Sequence, residues 1–306
     1  MGLARDFVRT GTLGVPLRRA FDAKRIELEP FRKSPAIRTE KDGAITLRNI
    51  QPNEGVRAWY REQLQCMTRR MAEDILRKLA GDYDPALERM ALDDDPIVTL
   101  RRTLRAWGRK WQKNFNDMST DVARMFADRS QRHLDRAFRQ RLKDAGFTVK
   151  FAASERQVSA YRAVIAENVN LIRSIPQEFL KDVQGSVWRS VMSGHKTGEL
   201  SASIRKKYGI SYRRAGFIAR DQVAKAKAVM EQARRAELGI KQATWVHSNA
   251  GKVPRPTHVK MMGKRFDIAE GMYDSAVQQY IQPGELPNCR CTSRAIIPTV
   301  LARASS

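Results

Sequence analysis

Cysteine is nearly absent from this chain. There are three in 306 residues, and two of them, Cys289 and Cys291, stand one residue apart. An odd count with a near-adjacent pair argues against a disulfide framework and points to a protein made and kept in a reducing cytoplasm. Long apolar runs are missing too. No stretch approaches the ~18 uninterrupted apolar residues that span a bilayer, so neither a transmembrane helix nor a membrane partner is expected. Met1 to Ala20 is basic but has no continuous apolar region, which argues against a secretory signal. The sequence has no phosphate-cradling glycine loop, no HExxH pair and no clear carboxylate dyad, so the common enzyme signatures are absent. Histidine is scarce as well, with four in the whole chain.

What the chain has is positive charge. Lys and Arg number 57 against 33 acids, for a net charge of +24 and an isoelectric point near 10.5. Such an excess favours a polyanionic partner, nucleic acid first and an acidic protein or lipid surface second. The plainer alternative is that the charge serves solubility.

Hydrophobic periodicity predicts a mainly helical body with a small C-terminal α+β module, a hairpin plus a final strand. Residues 1–50 lack sustained periodicity and read as an extended arm, although Gly43 to Leu47 has the composition of a strand. The helical body covers 51–210, the C-terminal domain 211–300 and a short tail 301–306. A helix is expected from the N-cap Asn53 to about Ala80, stopping at Gly81. A second starts after Asp93-Asp94-Asp95-Pro96, with the apolar stripe Leu100, Leu104, Trp107, Trp111, Phe115, Met118, Val122, Phe126, Leu134, Phe138 and Leu142. That stripe reads as core, although aromatics among arginines can also stack bases. Further helices are expected over about Ser154 to Arg173, Gln177 to Met192 after Pro176, Leu200 to Lys207, and Ser211 to Leu238. His195 falls in a turn between them. Beyond Gly239, Thr244 to His247, Lys264 to Ile268 and Cys291 to Ile297 read as strands.

In the helix from Ser211, the residues Arg213, Arg220, Lys227 and Arg234 recur every seven positions. Seven residues are nearly two turns, so the four cations project from one side, about 10 Å apart along the axis. This row is a candidate surface for backbone phosphates of duplex DNA; otherwise it is an ordinary solvated face.

The last fifty or so residues hold the rarest residue types. Two thiols at i and i+2 on extended backbone share a face, and a disulfide between them would be strained. Cys289 and Cys291 could form half of a tetrahedral zinc site with His247 and His258, or could simply be small packing residues. A Cys/His nucleophile pair built from Cys289 or Cys291 with His258 is a further reading, of an enzyme or toxin-like module on a helical carrier. Arg290 would then face the other way, free for an anion.

These residues carry a resemblance. Trp245-Val246-His247-Ser248, Gly251-Lys252-Val253-Pro254-Arg255 with His258, Gly263-Lys264-Arg265-Phe266 and Asn288-Cys289-Arg290-Cys291 together resemble the phage Mu F-like minor head proteins, or phage head morphogenesis family. The resemblance covers about Ser211 to Pro298. It implies a low-copy structural protein of a tailed phage head rather than an enzyme. The implied partners are the portal and the scaffold or major capsid protein, with packaged double-stranded DNA contacted without sequence preference. The implied location is the virion, after assembly in the host cytoplasm. Many members have His where this chain has Leu286, and a further Cys-x-x-Cys where it has the Gly251 to His258 loop. Both departures shrink the set of metal ligands, and no resident cofactor is expected.

Overall fold

The computed structural model describes residues 29–30, 38–39, 44–90, 96–149, 151, 154–193, 197–249 and 253–297. His195 and most of the N-terminal arm lie outside these residues. Four long helices form the body: α1 (Glu54–Met90), α2 (Pro96–Asp144), α3 (Glu155–Met192) and α4 (Thr197–Glu237). Among the described residues, no helix is long and apolar enough to cross a membrane.

Every position of the α2 stripe faces inward except Trp111 and Met118, which are only partly covered. The helix runs unbroken past Asn116 to Thr120. Its partners are α1, α3 and α4. Asn53 caps α1, its side-chain oxygen accepting from the Val56 amide at 2.8 Å. Contrary to expectation, α1 does not stop at Gly81 but continues to Met90.

Two other predicted breaks are bridged. Pro176 sits inside α3, where its missing N–H and its ring disfavour helix by ~3 kcal/mol. Ile172, Ile175 and Phe179 are buried on both sides of it and hold the two halves in line. The expected gap between the helices ending at Lys207 and starting at Ser211, at Gly209, is likewise absorbed into the continuous α4. Tertiary packing outweighs these local signals.

A buried polar network joins α1, α3 and α4. The Tyr60 hydroxyl donates to Asn168 Oδ1 at 2.8 Å, and Asn168 Nδ2 donates to Gln222 Oε1 at 3.1 Å. Gln222 in turn donates to Glu167 at 2.9 Å. Tyr60 stacks on Phe126 with ring centroids 4.3 Å apart. Burial, with help from Glu167, pushes the Tyr60 phenol well above its usual range.

The sheet is antiparallel throughout. It joins β2 (Arg38–Thr39), β3 (Ile45–Thr46), β9 (Thr292–Ile297), β5 (Gln242–Val246) and β6 (Arg265–Asp267) in that spatial order. The end of the presumed arm is therefore part of the C-terminal sheet. Ile45 pairs with Ile297, the Leu47 amide donates to the Ala295 carbonyl, and Leu47 and Ile50 are buried. Central β9 is buried at every position but Arg294. A short helix, α5 (Pro256–Met261), links β5 to β6, and a separate hairpin pairs β7 (Met272–Asp274) with β8 (Gln279–Ile281). Two short strands, β1 (Glu29–Pro30) and β4 (Phe147–Thr148), pair beside the body.

Candidate functional site

The C-terminal motif folds around one imidazole. His258 sits in α5, stacked edge-on against Trp245 of β5 at 5.4 Å, and Trp245 also meets Phe266 of β6 at 5.9 Å. Gly263 adopts φ +78°, a left-handed turn that lets the chain reverse from α5 into β6. Its amide donates to the Trp245 carbonyl and the Trp245 amide to the Lys264 carbonyl, while the Lys264 side chain is exposed.

The loop from β8 to β9 brings in the thiols. Gly284 has φ +94° and lies against the Ala224 carbonyl and Ala228 of α4, so the loop runs flush against that helix. Asn288 adopts φ +63°, its amide donating to Asp221 Oδ1 at 2.7 Å and its Oδ1 accepting from Arg220 Nε at 3.3 Å. Arg255 ties α5 to the same loop by donating to the Pro287 carbonyl at 2.8 Å.

So held, Cys289 Sγ lies 3.5 Å and Cys291 Sγ 3.6 Å from His258 Nδ1. On the other side of the ring, Nε2 is 3.2 Å from Asp274 Oδ2 at the end of β7. The thiols and the imidazole offer ligand atoms within 4.8 Å of one another. All are sealed in: His258 is 2% exposed, Cys289 3%, Cys291 6% and Asp274 0%. The Cys291 thiol holds the Cys289 thiol well below its usual range, against the effect of burial. His258 and the backbone amides of Cys291 and Gly284 add to that lowering. Cys291 is pushed the opposite way because it keeps the proton that the pair shares. Burial works against the Asp274 carboxylate, but the Ala276 amide, the Thr257 hydroxyl and His258 together hold it below the usual range.

Two sequence expectations about this cluster are corrected. His247 does not join it: β5 ends at Val246, and the His247 ring turns toward Asn249, 3.2 Å away. Arg290 is not free for an anion, being half-buried and already engaged within the chain. Asp274 was missed. A single acid sixteen residues after His258, in a hairpin without strong periodicity, carries no local sign of its role.

The α4 row is not the continuous exposed surface that its spacing suggested. Arg213 is exposed and Arg220 half-exposed, but Lys227 and Arg234 are 6% and 3% exposed. Lys227 pairs with Glu231. Arg234 pairs with Asp135 of α2 at 2.8 Å and Glu237 at 2.7 Å, and lies over the Phe151 ring at 4.3 Å. Neighbouring Arg235 donates to Glu231 at 2.6 Å and to the hydroxyl and carbonyl of Ser293 in β9. The physical reason is position. Helix α4 packs against α1, α2 and α3, with the β8–β9 loop against a further side, so the cations buried along it must be paired.

Exposed cations concentrate instead on α2. Arg129, Arg132, Arg136, Arg139 and Lys143 follow a 3-4-3-4 spacing on one exposed face, a stripe about 21 Å long at the helical rise. Among the described residues none of the five has an ion-pair partner. Toward the N-terminal end of α2, Arg105, Arg109 and Lys113 line an open cleft shared with Lys181 of α3.

Residues 181–294 match the family described as Phage Mu protein F like protein. A protein of Haemophilus influenzae (strain ATCC 51907 / DSM 11121 / KW20 / Rd), described only as uncharacterized, is 25% identical over 267 residues. The match takes in 85% of this chain and 58% of that relative, so the chain spans less than two thirds of the relative's length. No solved structure matches.

Proposed function

Since residues 181–294 match the Phage Mu protein F like family, we propose that this chain is a minor head protein of a tailed phage. In this reading it acts by binding, not by turnover. It docks on the portal, with the scaffold or major capsid protein beside it, and contacts packaged double-stranded DNA through its basic surface. The observation that carries the reading is the family match over the segment that folds into α4 and the C-terminal sheet. The net charge of +24 supports the DNA contact. The exposed α2 stripe is the surface best suited to it, because phosphate binding needs unpaired, solvent-facing cations.

The rival is a Cys–His–Asp enzyme. Cys289, His258 and Asp274 do stand in the order nucleophile, base, orienter. At 3% and 2% exposure, however, Cys289 and His258 offer no approach to a substrate. Quantitative mass spectrometry of purified particles tests the structural reading. The chain should be present at low copy number relative to the major capsid subunit. Absence from both proheads and virions would refute it.

A further inference from the structure

We propose that Cys289, Cys291 and His258 bind a zinc ion as a two-cysteine, one-histidine site, with Asp274 as the outer carboxylate that fixes the imidazole. The site stands independently of any role in the phage head.

Hydrogen bonding around the ring is mismatched. A neutral imidazole has one N–H and one lone pair. Asp274 is a buried carboxylate facing Nε2 at 3.2 Å, so Nε2 carries the hydrogen and Nδ1 is left with the lone pair. Two sulfurs converge on that single nitrogen, at 3.5 and 3.6 Å. At most one S–H can point at it; the other sulfur meets it lone pair to lone pair. A cation between the three atoms removes the conflict, because both sulfurs and the nitrogen then point lone pairs at the same centre.

The distances fit zinc. With Zn–S near 2.3 Å, Zn–N near 2.05 Å and a tetrahedral angle, the sulfur-to-nitrogen separation is about 3.6 Å. Both observed separations agree with that to within about 0.1 Å.

The surroundings fit as well. The amides of Gly284 and Cys291 approach Cys289 Sγ, and the Ser248 amide approaches Cys291 Sγ. Such donors stabilise thiolate ligands. The carboxylate–histidine arrangement is the usual means of orienting a zinc-bound imidazole. Zinc binding takes both sulfurs as thiolates, releasing any proton the pair still holds, and places positive charge beside a buried carboxylate. The ion would tie together the β8–β9 loop, α5 and the β7–β8 hairpin, where α5 and the two hairpin strands are only three to six residues each. The fourth coordination position would be filled from outside the set, by water or another small ligand.

The test is elemental analysis of the full chain purified without chelator from zinc-supplemented cells, combined with cobalt substitution. The expected result is one zinc per chain, retained by Cys66→Ala. Cobalt exchange should give intense tetrahedral d–d absorption and a thiolate charge-transfer band. Asp274→Asn should weaken zinc binding about 10- to 100-fold while keeping the thiolate band. Cys289→Ser and Cys291→Ser should lose the metal, and because they risk misfolding, the cobalt spectrum of the unmutated chain stands as the independent readout. Substoichiometric zinc with no thiolate–cobalt band would overturn the proposal. So would alkylation of Cys289 in the folded chain at a rate unaffected by zinc, which would mark a free nucleophile instead.

Discussion

Helices α2 and α4 both carry cations at regular helical spacing, and the fold uses them in opposite ways. On α2 the cations at 129, 132, 136, 139 and 143 face solvent without ion-pair partners among the described residues. On α4, Lys227, Arg234 and Arg235 are buried, each paired with an acid of its own helix or of α2, and Arg235 also reaches β9. Moving a cation from water into a protein interior costs several kcal/mol, so a buried cation persists only with its acid. The α4 cations consequently act as cross-links, Arg234 to the helical body and Arg235 to the sheet. The α2 cations keep their charge in solvent. Periodicity shows that a row shares a face; what covers that face is decided by the rest of the fold.

This contrast can be broken at several points. The largest effect should come from Arg234→Ala, which leaves Asp135 and Glu237 facing each other without their cation. A loss of about 3–5 kcal/mol in urea unfolding is expected, and a loss below about 1 kcal/mol would mean that the buried pairs are incidental. Next is Asn168→Ala in the neutral network beside α4. It strands the Tyr60 hydroxyl and Gln222 and should cost about 1–3 kcal/mol. Asn168→Leu, similar in volume, would show whether the loss comes from the unpaired groups or from the cavity.

The smallest effect belongs to the α1–α2 contact at Asp74, which accepts from the Trp111 indole at 2.8 Å and from Lys110 at 3.1 Å. Burial raises this carboxyl, but Trp111, Lys110 and Lys78 outweigh it and hold it below the usual carboxylate range. A group depressed in the folded state contributes its stability above its unfolded pKa, about 3.9. That stability is lost as pH falls through the lower folded value. Asp74→Asn should therefore differ from the parent by no more than about 1 kcal/mol at neutral pH, with the difference disappearing in strong acid. A difference that persisted there would assign it to packing instead.

Much of the fold was legible in the sequence, and the failures have physical causes. The α2 stripe from Leu100 to Leu142 was readable because one face of a long helix is buried along its whole length. Pro176 and Gly209 suggested breaks that packing overrode, and α1 continues past Gly81 to Met90. The strand at Ile45 could not be joined to Ile297 from sequence, since a pairing across 252 positions leaves no local pattern. At the candidate site, Cys289, Cys291 and His258 stood out by rarity. His247 looked equivalent to His258 because nothing in its neighbours marks the end of β5 one residue earlier. Asp274 was invisible for the opposite reason: acids are common, and only the β7–β8 hairpin brings this one to the imidazole.

The most direct measurement is duplex DNA binding across a salt series, for the parent chain and for Arg132→Gln/Arg136→Gln/Lys143→Gln. Arg129 and Arg139 are left in place because they also lie over Trp59 and Phe151. If the exposed face of α2 holds the phosphates, the triple variant should keep the parent's unfolding midpoint. The slope of log affinity against log salt should shrink by up to about 2.7, or about 0.9 for each phosphate no longer neutralised. An unchanged slope, or parent binding that is flat with salt, would contradict the assignment of DNA binding to this face.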